Sequence, residues 1–173
     1  MRDRQKIVLE LLDSSGMRLH ALLARLTLSQ DAVGDLMQEL CLRLCQSRGL
    51  DRAKDPFAYA YRAAINLAFE WRKKTRLKLE SLDEDCLPVQ DSPGPLATMI
   101  QVEQLQQVLD ATSRLSRLAR EVVVMHYIEQ ESYEEIGRRL DKKPQYLRSV
   151  SAKALARLRR LLAADKSRPS EKE

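Results

Sequence analysis

The stretch ESYEEIGRRLDKKPQYLRSVSAKALARLRRLL, residues 131–162, decides the fold. Ser132 followed by Glu135 is a capping box, in which each residue satisfies a backbone donor that a helix start would otherwise orphan. Ile136 and Leu140 share one face of the helix so begun, and Gly137 permits close approach of the next one. The turn Asp141-Lys142-Lys143 is short, and Pro144 suits a first helical position. Beyond it Leu147, Val150, Ala154, Leu158 and Leu161 recur at helical spacing. Gln145, Tyr146, Arg148, Ser149, Ala152 and Lys153 are left pointing outward near the N-terminal half. A generic helical hairpin would account for the apolar stripe alone. The capping box, small inward residue, tight turn and basic outer face together point to a helix-turn-helix, whose second helix enters the major groove. Arg, Gln and Ser side chains hydrogen-bond base edges there, and Lys neutralises phosphate.

The other helices extend from this one in both directions. Met99, Val102, Leu105, Val108 and Leu109 predict a helix upstream, and Leu118, Val122, Val123, Met125 and His126 a second, over about 117–127. Leu19, Leu22, Leu23 and Leu26 mark a helix from Met17 to Leu28. A further helix follows with Asp31 as its expected cap and Val33, Leu36, Met37, Leu40 and Leu44 as its buried stripe. Asp35, Gln38 and Glu39 lie away from that stripe, as a solvated face would. After the polar turn SRGLDRAKDP, a long helix is expected from Pro56 to Leu79. Its apolar face is Phe57, Tyr61, Ala64, Ile65, Ala68 and Trp71, and Arg62, Asn66, Glu70 and Lys73 form a polar stripe. It ends in WRKKTRLK, with five basic residues in eight. Tyr59 and Trp71 beside those cations suit stacking on unpaired bases, or simply the core.

Composition narrows the class. The 173 residues hold 5 Gly, 6 Pro and 5% aromatics, against a sandwich, a barrel or a glycine-cradled nucleotide site. At 44% hydrophobic and 32% charged, the chain folds with a core expected to be divided or thin. The fold class is therefore all-α, two small helical domains. No run approaches the roughly 20 apolar residues of a membrane span, and no signal-peptide pattern opens the chain. Cys41, Cys45 and Cys86 form no metal-ligand pattern and read as thiols of a reducing cytoplasm. With His20 and His126 far apart, no metal site is expected.

Charge is segregated. Residues 1–80 hold 15 basic and 10 acidic side chains, 81–113 none and six, and 114–173 fifteen and nine. Two basic units joined by an acidic connector suggest polyanion partners. The connector SLDEDCLPVQDSPGPLA, residues 81–97, contains Pro88, Pro93, Gly94 and Pro95, which break regular structure. The expected division is 1–80, linker 81–97, helix-turn-helix unit 98–165 and polar tail 166–173.

The chain resembles the extracytoplasmic-function sigma factors of bacterial RNA polymerase. DAVGDLMQELCLRL (31–44) and PFAYAYRAAINLAFEWRKKTR (56–76) resemble the promoter-melting domain of that family, and SYEEIGRRL through YLRSVSAKALARLR (132–159) its C-terminal domain. The resemblance implies that Asp35, Gln38 and Glu39 dock on core polymerase and that the turn from Ser47 to Asp55 receives a base flipped from the minus-ten element. It implies that Tyr59, Arg62, Asn66, Trp71, Arg72, Lys73, Lys74 and Arg76 follow the non-template strand. Gln145, Tyr146, Arg148, Ser149 and Lys153 would read the minus-thirty-five element as duplex. The linker would thread polymerase channels, and an anti-sigma protein would be a further partner. Where the family usually has Gly in the turn, this chain has Asp141, and its leucine-proline pair reads Leu115-Ser116.

A chain of this kind does no chemistry and needs no cofactor. The alternative is a dimeric helix-turn-helix regulator with a sensing or dimerising N-terminal half, which would bind a palindrome. It leaves the Asp35-Gln38-Glu39 face and the WRKK run without a purpose. No catalytic triad, Walker loop or paired catalytic carboxylates support an enzyme.

Overall fold

The computed structural model describes residues 2–81 and 96–166, which are helical with short turns and no strand among them. The expected linker, with Cys86, and the polar tail lie almost wholly outside the described residues. Helices α1 (Arg2–Thr27), α2 (Gln30–Gln46) and α3 (Pro56–Ser81) form the first unit, with a single 3-10 turn, Leu50–Arg52, before α3. The second comprises α4 (Leu96–Ser113), α5 (Arg117–Val123), a wide π turn (Val124–Ile128), α6 (Tyr133–Leu140) and α7 (Pro144–Lys166).

Helix α1 begins well before Met17, because Val8 and Leu11 extend its buried stripe by two turns. Its end is held by side chains. Thr27 Oγ1 donates to the Leu23 carbonyl at 2.8 Å, and Leu28 takes a left-handed φ of 56°. The cap of α2 is Ser29 and not Asp31: its hydroxyl accepts from the Ala32 amide, which puts Asp31 in the first turn. There a carboxylate still suits the positive end of the helix dipole. Helix α5 gives way at Val124 to the π turn, so the expected single helix over 117–127 has two parts.

Instead of a divided core, one large apolar cluster crosses both units. Leu19, Leu22, Leu40, Tyr61 and Ile65 of the first belong to it together with Leu109, Val122, Met125, Ile136 and Leu147 of the second. A smaller cluster of Ala111, Leu115, Ala119, Val123, Ala154 and Leu158 sits between α4, α5 and α7. The expected stripe on α4 is only partly buried: Leu109 turns inward, whereas Val102, Leu105 and Val108 are exposed.

Candidate nucleic-acid interface

The helix-turn-helix is built as its residues dictate. Ser132 Oγ accepts from the Glu135 amide at 3.2 Å, and Glu135 Oε2 accepts from the Ser132 amide at 2.9 Å. The Ser132 amide and hydroxyl, both donating to Glu135 Oε2, hold the Glu135 carboxyl below its ordinary range. Asp141 takes φ 52°, the left-handed conformation that ends a helix, and Asp tolerates it better than most non-glycine residues. Gly137 is required for a reason other than the approach of α7: a Cβ there would lie 2.7 Å from the Lys142 carbonyl oxygen of the turn.

Gln145, Tyr146, Arg148, Ser149, Ala152 and Lys153 are all exposed, Tyr146 at 51%. Arg148 is already oriented. Its Nη2 donates to Glu134 Oε1 at 2.7 Å, and its guanidinium lies 5.5 Å from the Tyr133 ring centroid. His126 stacks on Tyr133 at 4.1 Å, and its Nδ1 lies 2.8 Å from the Glu131 carbonyl oxygen, which fixes the approach to α6.

A cavity of about 290 Å³ opens between the end of α2, α3 and the start of α5, with Arg43, Ser47, Tyr59, Asn66, Glu70 and Arg117 around it. The Tyr59 hydroxyl lies 2.6 Å from Ser47 Oγ, which ties the turn to α3. Arg43 bridges Glu39 at 2.7 Å and Glu70 at 2.8 Å, linking the outer face of α2 to the rim of this cavity. Asp35 and Gln38 are exposed beside Glu39. Cys41 and Cys45 are half-buried free thiols, and burial pushes the Cys41 thiol up.

The eight residues of α3 singled out by the resemblance divide into two groups. Lys73 and Lys74 are exposed, while Tyr59, Trp71 and Arg76 are half-buried. Arg62 and Asn66 meet the second unit: Arg62 Nε donates to Glu121 Oε2 at 2.9 Å, and Asn66 Nδ2 to Glu121 Oε1 at 2.8 Å. Arg72 corrects the expectation of a strand-facing cation. It is 4% exposed and donates to the Leu26 and Thr27 carbonyls at 3.3 and 3.4 Å. Those carbonyls are among the orphaned acceptors of the α1 C-terminus, where a cation also suits the helix dipole. Its Nη2 reaches Asp110 Oδ1 at 2.5 Å and the Gln106 carbonyl at 3.1 Å.

Glu121, Asp110 and Arg120 are the residues that sequence reasoning missed. Glu121 is wholly buried and takes a third hydrogen bond from Arg117 Nε at 3.1 Å. Arg120 packs over the Phe69 ring at 5.2 Å, and burial pulls its guanidinium below its ordinary value. A signal existed. Glu121 lies on the stripe of Leu118, Val122 and Met125, and an acid in a buried stripe demands partners.

Residues 11–77 match the family model for sigma-70 region 2, and residues 105–158 that for sigma-70 region 4. The chain belongs to the sigma-70 family. It is a sigma factor, which binds core RNA polymerase and promoter DNA and directs transcription initiation. Regions 2 and 4, with only residues 78–104 between them, are the pair that the resemblance to extracytoplasmic-function sigma factors requires. The region 2 match removes the regulator with a sensing domain. No curated protein matches the chain. Among solved structures, the sigma factor RpoE in complex with the anti-sigma factor NepR from Bartonella quintana is 19% identical, covering 95% of this chain and 99% of that one. The TM-score between the two is 0.48.

Proposed function

We propose that residues 1–80 of this sigma factor bind core polymerase and open the minus-ten element, and that residues 98–165 read the minus-thirty-five element as duplex. The cavity between Ser47 and Asn66 carries the first half of this reading. It has room for one nucleobase, with Tyr59, Ser47 and Asn66 on its wall. Extruding a base costs a few kcal/mol, which such a pocket offsets on capture. Lys73 and Lys74 continue the line along α3 and neutralise phosphates of the captured strand. Arg72 is assigned to holding α1 and not to DNA.

The exposed face of α7 supports the second half. Arg148, buttressed by Glu134, is set to make a base contact, with Gln145, Tyr146, Ser149 and Lys153 around it. Asp35, Gln38 and Glu39 form the face for core polymerase. The chain does no chemistry itself: polymerase supplies the metal and the active site. It works in the cytoplasm; no helix among the described residues is long and apolar enough to cross a membrane.

The test adds purified chain to bacterial core polymerase on genomic promoter fragments. Promoter-dependent transcripts that vanish without the chain are expected. Failure to bind core, with dimeric binding to a palindrome instead, would overturn the assignment.

A further inference from the structure

The turn that follows α2 is held by one side chain from the start of α1. Arg4 donates from Nε to Asp51 Oδ1 at 2.8 Å and from Nη2 to Asp51 Oδ2. Its Nη1 donates to the Cys45 carbonyl at 3.1 Å. That carbonyl is one of those a helix end leaves without an internal partner, and the paired carboxylate bonds fix the plane of the guanidinium. One cation therefore ties the last turn of α2 to the 3-10 turn, across the segment 46–50 that contains Ser47. Arg4 lies before residues 11–77, the stretch that matches the region 2 model. Val8 and Leu11 anchor its helix in the core.

The segment itself has little slack. Leu50 is buried, the Gly49 amide donates to Ser47 Oγ at 3.2 Å, and Ser47 Oγ lies 2.6 Å from the Tyr59 hydroxyl. A Cβ on Gly49 would lie 2.8 Å from that same hydroxyl, so the backbone rests directly on Tyr59. Ser47 and Tyr59 both line the cavity, and any shift of the segment reshapes it.

We propose that Arg4 is a positioning residue for base capture: by clasping Asp51 and the Cys45 carbonyl it holds Ser47 against Tyr59 and so sets which base the cavity accepts. The inference rests on the reading of that cavity as the base pocket. Arg4 is not among the residues around the cavity, so it acts through the turn. Its contribution is pre-organisation. A turn that is correctly formed for only a fraction of the time binds its preferred base more weakly by that fraction, whereas contacts to phosphate do not depend on it. Loss of the clasp thus lowers discrimination between bases more than affinity for the strand.

The test compares the full chain with Arg4→Ala, Asp51→Ala and the double variant, each checked for folding by circular dichroism. Asp51 is 41% exposed, so its variant keeps the test open should Arg4→Ala fail to fold. Hydrogen exchange at the Arg52 and Ala53 amides, which bond within the turn, reports the clasp. A single-strand library with a randomised stretch, selected on the chain bound to core polymerase, reports base preference. Each single variant is expected to exchange about tenfold faster and to lose about tenfold in enrichment of the preferred base. The double variant is expected to be no worse than either, because both remove one interaction. Core binding is expected to be unchanged. Wild-type exchange in a folded Arg4→Ala chain overturns the proposal, as does faster exchange with enrichment intact. A loss uniform over all sequences in Arg4→Ala, with a gain in Asp51→Ala, would instead make Arg4 a phosphate contact and overturn it too. Should the wild type enrich no base at any position, the reading of the pocket fails, and exchange alone decides whether Arg4 holds the turn.

Discussion

Glu121 and Asn66 stand 2.8 Å apart across the two units, and Glu121 has no solvent-exposed surface. Burying a carboxylate is costly unless its lone pairs are filled, and here three donors fill them: Asn66, Arg62 and Arg117. Asn66 in turn is oriented from both ends, because its Nδ2 also donates to the Arg62 carbonyl at 2.7 Å and its Oδ1 lies 3.4 Å from Arg120 Nη1. A residue expected to meet DNA is thus held as firmly as one in a protein core.

Arg72 and its neighbours Lys73 and Lys74 separate a structural role from the proposed DNA contact within one turn of helix. Arg72→Ala leaves the α1 carbonyls and Asp110 without their cation, and is expected to destabilise the fold by about 3–5 kcal/mol. Lys73→Ala and Lys74→Ala leave stability unchanged, but each lowers the salt dependence of promoter binding by about one ion. Urea unfolding and a salt titration of binding check the two halves.

Gly137 has no room for a side chain. In Gly137→Ala the new methyl would lie 2.7 Å from the Lys142 carbonyl, and the turn must shift to admit it. A loss of about 1–3 kcal/mol is expected, with weaker duplex binding because α7 is displaced. Thermal unfolding and gel-shift titration measure both, and unchanged values would mean that the turn yields freely.

Arg148 is the foremost candidate for a base contact. Arg148→Ala is expected to weaken upstream duplex binding by about 1–3 kcal/mol and to relax specificity at one position. A uniform loss over all sequences would mark a phosphate contact instead.

Asp35 and Glu39 test the polymerase face. Reversal of both to Lys is expected to impair core binding, while stability changes by less than about 1 kcal/mol, because the Glu39–Arg43 pair is half-exposed. Retained core binding in a pull-down would make these acids a solvated face.

Glu131 gives a pH dependence. Burial pushes its carboxyl above the ordinary 4.5, against the pull of Arg139 and Arg18, and Glu135 and Glu129 push the same way. A raised folded-state value means that its stabilising contribution is present below the ordinary value and lost as pH rises through the raised one. The melting temperature of the wild type should therefore fall more steeply over that window than that of Glu131→Gln. Parallel melting curves across pH would remove Glu131 from the account.

The helix-turn-helix was legible because its signals are local. The capping box at Ser132 and Glu135, the stripe of Leu147, Ala154 and Leu158, and the outward face of α7 depend on residues a few positions apart, and a helix makes such spacing into geometry. The stripes of α2 and α3 were readable for the same reason. The cap at Ser29 was missed by two positions, since Ser and Asp serve equally as caps and only the backbone distinguishes them.

The sequence by itself determined that the chain is helical, where most of its helices lie, which face of α2, α3 and α7 is apolar, and that two basic stretches flank an acidic one. It also determined the family, through motifs contiguous in the chain. Tertiary structure alone decided that Arg72 turns inward to the end of α1, that Val102 and Leu105 stay outside, and that Glu121 lies against Arg62 and Asn66. Those contacts join residues 45 to 59 positions apart. Their formation depends on how two amphipathic units pack, and no helical period encodes a partner on another helix.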